Sequence, residues 1–314
     1  RAYALGYDGL GQRLLHEVLT DAAAFVPGLP LDPVALGAAL DRRYRLVGAR
    51  GVIGMALASV DVALWDALAQ AAGVPLARHL GGDVVPLRAY NSNGLGLIGP
   101  AAAATEAVEL VAEGYRTIKL RLGYPTLAED LAALRAVRTA VGPEIEILSD
   151  YNQMLSADEA LRRCPALDEF GLGWIEEPIV HDDYAACARL AQATATPIQI
   201  GENFLGPHAL RAALAARASD LVMFDAQRIE GVSGWMAAAA LAADAAIPVS
   251  SHLLPEVSAH LLAATPTRDR LEMVDWANPV LVAPLTVRDG LVTPPDEPGT
   301  GVRWDEAAVA RYRV

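Results

Sequence analysis

Cysteine is nearly absent: Cys164 and Cys187 are the only two in 314 residues, and they show no metal-type spacing. This argues against a disulfide framework and a thiolate metal centre, and it reads as two reduced, structural thiols of a cytoplasmic protein. No block of Lys and Arg stands out, and the net charge is −13. An acidic surface of this kind argues against nucleic acid and anionic membrane as partners, while leaving room for a local basic pocket that takes a small anion. There is no long hydrophobic run. The longest, "WMAAAALAADAA" from Trp235, is Ala-rich and broken by Asp244, so it reads as a buried helix rather than a membrane span. No signal peptide is visible at the start. No GxGxxG follows the first strand candidate, which weakens a nucleotide-binding open sheet.

What is present is a hydrophobic fraction of 53% with 20% charged residues, enough for a large core in one or two domains. Up to about residue 82 the pattern is helical. Asp32 is a plausible N-cap for "PVALGAALDRRY", and "GMALASVDVALWDALAQAA" stops at Gly73 with Pro75 beyond, predicting a largely buried helix. From Pro86 the pattern changes to eight short apolar strands at 86–92, 117–122, 144–150, 173–178, 197–202, 221–226, 247–252 and 270–275. Helical stretches such as 126–141, 182–194 and 208–217 separate them. This alternation predicts an α/β fold with parallel strands, and eight units fit a barrel.

Strand after strand ends in an acid or a histidine: Asp150, Glu176, Glu202, Asp225 and His252, with Glu272 inside the last strand. Asp150, Glu176 and Glu202 follow one another at intervals of 26 residues, one βα unit each. In a barrel the C-terminal strand ends gather at one face. Three carboxylates brought together there need a hard divalent cation, for which Mg²⁺ suits oxygen ligands. A lone strand-end carboxylate more often pairs with a base or caps a helix; three at equal spacing favour the metal. Glu177 is expected to point the other way and to be structural. Asp225 beside His252 would fix the imidazole tautomer and raise its basicity, as a general base requires. Lys119 and Arg121 share one strand face and call for an anion opposite them.

These motifs together resemble the enolase superfamily, and within it the mandelate racemase subgroup. The resemblance is carried by Lys119-x-Arg121, "SDYNQ" (149–153), "WIEEP" (174–178), "GEN" (201–203), "FDAQR" (224–228), "SSHL" (250–253) and "LEMVD" (271–275), in order and at matching spacing. It implies a modified TIM barrel, (β/α)₇β, under an N-terminal α+β capping domain: residues 1–85 the mostly helical remainder of the cap, 86–290 the barrel, 291–314 a segment returning to the cap. The start "RAYALGY" resembles the tail of the family's β-meander, so the opening strands and lid are expected to be absent from this sequence. The resemblance also implies site roles. Asp150, Glu176 and Glu202 would hold Mg²⁺, with Mn²⁺ as a substitute. Lys119 would contact the substrate carboxylate. His252 with Asp225 would be the base on one face, Glu272 a neutral acid that hydrogen-bonds the developing enediolate, and Asn152 a group near the α-hydroxyl. The partner would be a small-molecule carboxylate, and the chain a homo-oligomer, dimer or octamer.

Arg121 stands where such enzymes carry the lysine that serves as the second base. Arginine starts roughly three pKa units above lysine, a difference on the order of a thousandfold against the basic form. Three readings stay open. Overall similarity implies α-proton abstraction from a 2-hydroxy carboxylate with racemisation or epimerisation. Arg121 favours one-base dehydration of a sugar acid by His252. A degenerate barrel acting as a scaffold is the third, and it is disfavoured because metal ligands, dyad and Glu272 are all kept.

Overall fold

The computed structural model describes residues 1–312. It begins with four helices: α1 (Gly9–Phe25), α2 (Pro33–Tyr44), α3 (Val52–Ala72) and α4 (Leu76–His79). Capping chemistry sets their ends. Asp32 accepts the Ala35 N–H at 2.7 Å and starts α2. Gly73 closes α3 in the left-handed region at φ 71°, which glycine adopts without a Cβ penalty. α3 packs against α1 on one side and the barrel on the other, but it is only partly buried, less than its apolar composition predicts.

Strands and helices then alternate as β1 (Leu87–Asn91), α5 (Pro100–Ala112), β2 (Thr117–Arg121), α6 (Leu127–Val141), β3 (Glu146–Asp150), α7 (Ala157–Arg163) and β4 (Ile175–Glu176). They continue as α8 (Tyr184–Ala193), β5 (Ile198–Ile200), α9 (Pro207–Ala216), β6 (Leu221–Asp225), α10 (Gly231–Asp244), β7 (Val249–His252), α11 (Pro255–Ala263) and β8 (Arg270–Met273). All seven neighbouring pairings from β7 through β1 to β8 that form the sheet are parallel in sense. The Asp269 N–H to Val249 carbonyl bond, 2.7 Å, brings β8 back to β7 and nearly closes the barrel. Eight strands with seven connecting helices give (β/α)₇β. A short β9 (Leu291–Val292), not evident in the sequence, pairs antiparallel with β1. The chain then returns to the helical layer, where Asp66 accepts the N–H and hydroxyl of Thr300, before α12 (Glu306–Arg311).

Alternation along the strands splits the core in two. Outward residues such as Ile118, Ile147, Ile175, Ile198, Val222 and Leu271 pack beneath the helices. Inward, Tyr90, Leu148, Trp174 and Met223 form a separate buried cluster, with the Tyr90 and Trp174 rings edge to face at 5.3 Å. Below that layer Arg270 pairs with Glu146 at 2.6 Å and lies over Trp174. Above it come the strand ends. β4 and β5 are shorter than the sequence pattern suggests, because the backbone leaves extended geometry at Glu177 (φ 31°) and Gly201 (φ 127°).

Candidate active site

The inward-facing register brings the strand-end acids together. One carboxylate oxygen each of Asp150, Glu176 and Glu202 lies within 4.8 Å of the others. Asp150 and Glu176 reach the cluster as the last residues of β3 and β4, directly paired in register. Glu202 gets there differently. Gln199 is the register partner of Glu176, so simple alternation would turn Glu202 to the opposite face. Gly201 reverses this. Its φ of 127° is a glycine conformation, and a Cβ there would sit 2.5 Å from the Met223 carbonyl.

Lys119, inward on β2, answers the cluster with its Nζ 2.8 Å from Glu176, 3.0 Å from Glu272 and 3.3 Å from Asp150. It is the only lysine in the chain. Burial alone would lower its pKa, but these carboxylates outweigh that and raise it. A single ammonium does not neutralise the acids. Burial first, then the charge of Asp150, pushes Glu176 well above its ordinary value. Three hard oxygen donors short of positive charge fit a divalent cation such as Mg²⁺.

Across the mouth, β6 and β7 pair Asp225 with His252 in register, and Asp225 Oδ2 lies 2.7 Å from His252 Nδ1. The other ring nitrogen, Nε2, faces Glu202 at 3.2 Å. Burial opposes the imidazolium, yet Glu202 and Glu272, followed by Asp225, lift the His252 pKa to about 9. Glu272 is the residue that the resemblance implies as the acid facing the developing enediolate. Its Oε2 accepts the Leu253 N–H at 2.6 Å, and its Oε1 meets Lys119. Burial would raise its pKa, but Lys119, His252 and donors from Ser92 and Leu253 hold it well below the usual carboxylate range. The donor at Leu253 is set by backbone strain, a non-glycine residue at φ 49° directly after His252.

Arg121 ends β2 on the Lys119 face. Its guanidinium donates to the Ser92 carbonyl and hydroxyl, both at 3.1 Å. Asn152 donates from its backbone and side chain to Asp150, at 2.8 and 3.1 Å. Ser92 and Tyr7 among the neighbours are not singled out by sequence patterns, whereas Glu177 is, as a structural carboxylate. Ser92 closes the predicted first strand, two residues after inward Tyr90, and that parity was its signal. Glu177 accepts from Gly201 N–H and Asn203 Nδ2, so it braces the loop that carries Glu202. Arg228 donates to the Glu202 carbonyl at 3.0 Å and to Asn203 at 2.7 Å, and it lies over the Tyr7 ring. Tyr7 comes from the N-terminal segment, and no local motif marks it.

Residues 102–308 match the family model described as enolase C-terminal domain-like, and residues 5–81 match the N-terminal domain of mandelate racemase / muconate lactonizing enzyme. The L-talarate/galactarate dehydratase of Salmonella typhimurium strain LT2 is 36% identical over 263 residues, 83% of this chain. That match spans 66% of the dehydratase, just under two thirds of its length. An enolase from the alpha proteobacterium bal199, solved with bound Mg, superposes with TM-score 0.96 at 44% identity over 99% of this chain and 87% of its own. A Bradyrhizobium enolase complexed with magnesium and mandelic acid gives 0.94 at 40% identity over 100% of this chain and 86% of its own. With both domains matched and the strand-end acids in place, the chain belongs to the mandelate racemase/muconate lactonizing enzyme family of the enolase superfamily.

Proposed function

We propose that this protein dehydrates a sugar acid, removing the proton α to the carboxylate with His252 alone. The observation that carries the reading is the asymmetry of the mouth. One side offers an imidazole oriented by a carboxylate, and the other offers an arginine fastened to Ser92. Asp150, Glu176 and Glu202 would hold Mg²⁺, which when bound supplies a Lewis acid that eases negative charge onto the substrate carboxylate. Lys119 sits where it can meet the same charge, and it is a preorganised donor in a water-poor site. His252 takes the α-proton through Nε2 while Asp225 holds Nδ1–H and steadies the imidazolium. The electron pair then returns, the bond from the β-carbon to its hydroxyl breaks, and His252 gives its proton to that hydroxyl. Water leaves, and the enol becomes a 2-keto acid. No group of opposite-face basicity is needed.

Racemisation is the second reading, favoured by the likeness to an enolase solved with mandelic acid. The two separate in D₂O with Mg²⁺, following the α-proton by NMR for each enantiomer of 2-hydroxy acids and for a panel of sugar acids. Dehydration predicts a 2-keto product and exchange from one configuration without inversion. Interconversion of both enantiomers at ordinary enzymatic rates would sink it in favour of the racemase.

A further inference from the structure

Residues 1–7 form neither helix nor strand, yet they are fastened at several points. Ser59 of α3 donates its hydroxyl to the Tyr3 carbonyl at 3.3 Å, and the Tyr3 hydroxyl donates to Glu256 at the start of α11. The Leu5 N–H donates to the side-chain oxygen of Gln227 at 2.9 Å, and the Tyr7 ring lies 5.2 Å from the Arg228 guanidinium carbon. The segment thus ties α3 of the cap to α11, just after His252, and to the loop just after Asp225. Gln227 is buried, 3% exposed, and it bonds in two directions. Its side chain accepts from Leu5, while its backbone N–H donates to Asp225 Oδ1 at 2.7 Å. The next N–H, of Arg228, reaches the same oxygen at 3.1 Å. Asp225 Oδ2 is taken by His252 Nδ1. With both oxygens held, the carboxylate plane follows where residues 227 and 228 sit, and both are tied outward to the N-terminal segment. A short chain of bonds, Leu5 to Gln227 to Asp225 to His252, joins that segment to the base.

We infer that Gln227 is a positioning residue for the His252 base, through which the N-terminal segment fixes the Asp225 carboxylate. The inference rests on the reading of His252 as the α-proton base and deepens it. The rival account is that the Gln227 side chain only fills space. Its chemistry argues otherwise: an apolar side chain of the same length would fill that space without the cost of burying an amide. The amide oxygen instead satisfies a backbone N–H of a segment that has no helix or strand to satisfy it. The benefit of holding this turn still is large, because a misplacement of about 1 Å at a reacting group can cost on the order of 100-fold in rate.

The test is NMR of the His252 ring in the full chain with isotope-labelled histidine, beside kinetics at saturating Mg²⁺ with galactarate and mandelate as probes. Gln227→Met keeps the side chain's length and the backbone donors to Asp225, but it removes the acceptor for Leu5. The parent should show a downfield, slowly exchanging Nδ1–H from the bond to Asp225. In Gln227→Met that signal should move upfield or be lost to solvent exchange, and kcat should fall roughly 10- to 100-fold with KM little changed. Tyr3→Phe loosens the same segment at its bond to Glu256, away from Asp225 and His252. It should shift the ring signal in the same direction by less, and it should add nothing in the Gln227→Met background. If Gln227→Met does not fold, Tyr3→Phe alone decides, and no shift there overturns the inference. An unchanged ring signal in a folded Gln227→Met overturns it even where the melting temperature drops, since a packing role moves only the melt. An altered ring signal with unchanged turnover of a probe overturns it as well. Failure of the catalytic reading is seen separately, as an α-proton of a bound probe that does not exchange in D₂O, and the ring signal tests the Gln227 link in that case too.

Discussion

At the scale of single residues, the site is decided by which atoms are already engaged. His252 is held through Nδ1 by Asp225, so Nε2 is left for the substrate side. Asp225→Asn removes that orientation, and turnover should fall about 10²- to 10⁴-fold with little change in the thermal melt. Steady-state kinetics beside a melting curve checks it; loss of fold rather than rate would mean Asp225 is structural. Arg121→Lys tests the other face. A shorter amine beside Lys119 has a cation to lower its pKa, and the intrinsic gap of about three units to arginine is closed. Exchange in D₂O from the opposite configuration should then appear where the parent shows none. If it does not, the identity of residue 121 is not what restricts the chemistry to one face.

At the scale of elements, the loops after β4 and β5 matter more than the strands. Glu202 lies beyond β5 and joins the cluster because Gly201 bends the chain, with Glu177, Asn203 and Arg228 bracing the bend. Gly201→Ala introduces a Cβ 2.5 Å from the Met223 carbonyl and 2.6 Å from the Phe204 ring, at a φ that resists side chains. It should cost about 1–3 kcal/mol by overpacking. Asn203→Ala leaves the backbone alone and should weaken Mg²⁺ binding about 10- to 100-fold, as loss of a partner that orients a ligand does. Titration of Mg²⁺ against the melting temperature reads both effects. An Asn203→Ala protein with unchanged metal affinity would show that Glu202 is held by the backbone alone.

Across the whole molecule, protons and metal compete for one buried acid-rich mouth. Without metal, His252 is raised to about 9 and Glu177, by burial and then Glu202, to about 8. Both folded values lie above the ordinary ones. Each group therefore binds its proton more tightly in the folded state, and that stability is lost as pH rises. For His252 it is present below about pH 6.5 and gone above about 9. For Glu177 the loss runs from about 4.5 to about 8. The metal-free protein should thus melt at lower temperature as pH rises from about 6.5 to 9. Mg²⁺ should bind more tightly over the same range, releasing protons, and at 100 times its Kd it should add about 2.7 kcal/mol. Melting curves at fixed Mg²⁺ across that pH range give the answer. A metal effect that does not grow with pH would separate the acid cluster from the His252 and Glu177 protonation.

The sequence by itself determined the repeating strand–helix order, the eight barrel strands and the strand-end acids, because two-residue alternation and one-unit spacing are local and leave their mark in the chain. It marked Asp150 and Glu176 correctly as inward partners for the same reason. It carried the oddity of Arg121 too, since the type of residue is visible without its contacts. Only the tertiary structure decided how Glu202 turns inward against its strand parity, since that depends on a backbone angle at Gly201 and on braces from two other segments, at Glu177 and Arg228. It also decided that Glu272 meets Lys119 and that Arg121 reaches back to Ser92. Charge state and partner choice depend on which groups meet in space, and those groups are 29 residues apart in one case and 153 in the other, Ser92 to Arg121 and Lys119 to Glu272.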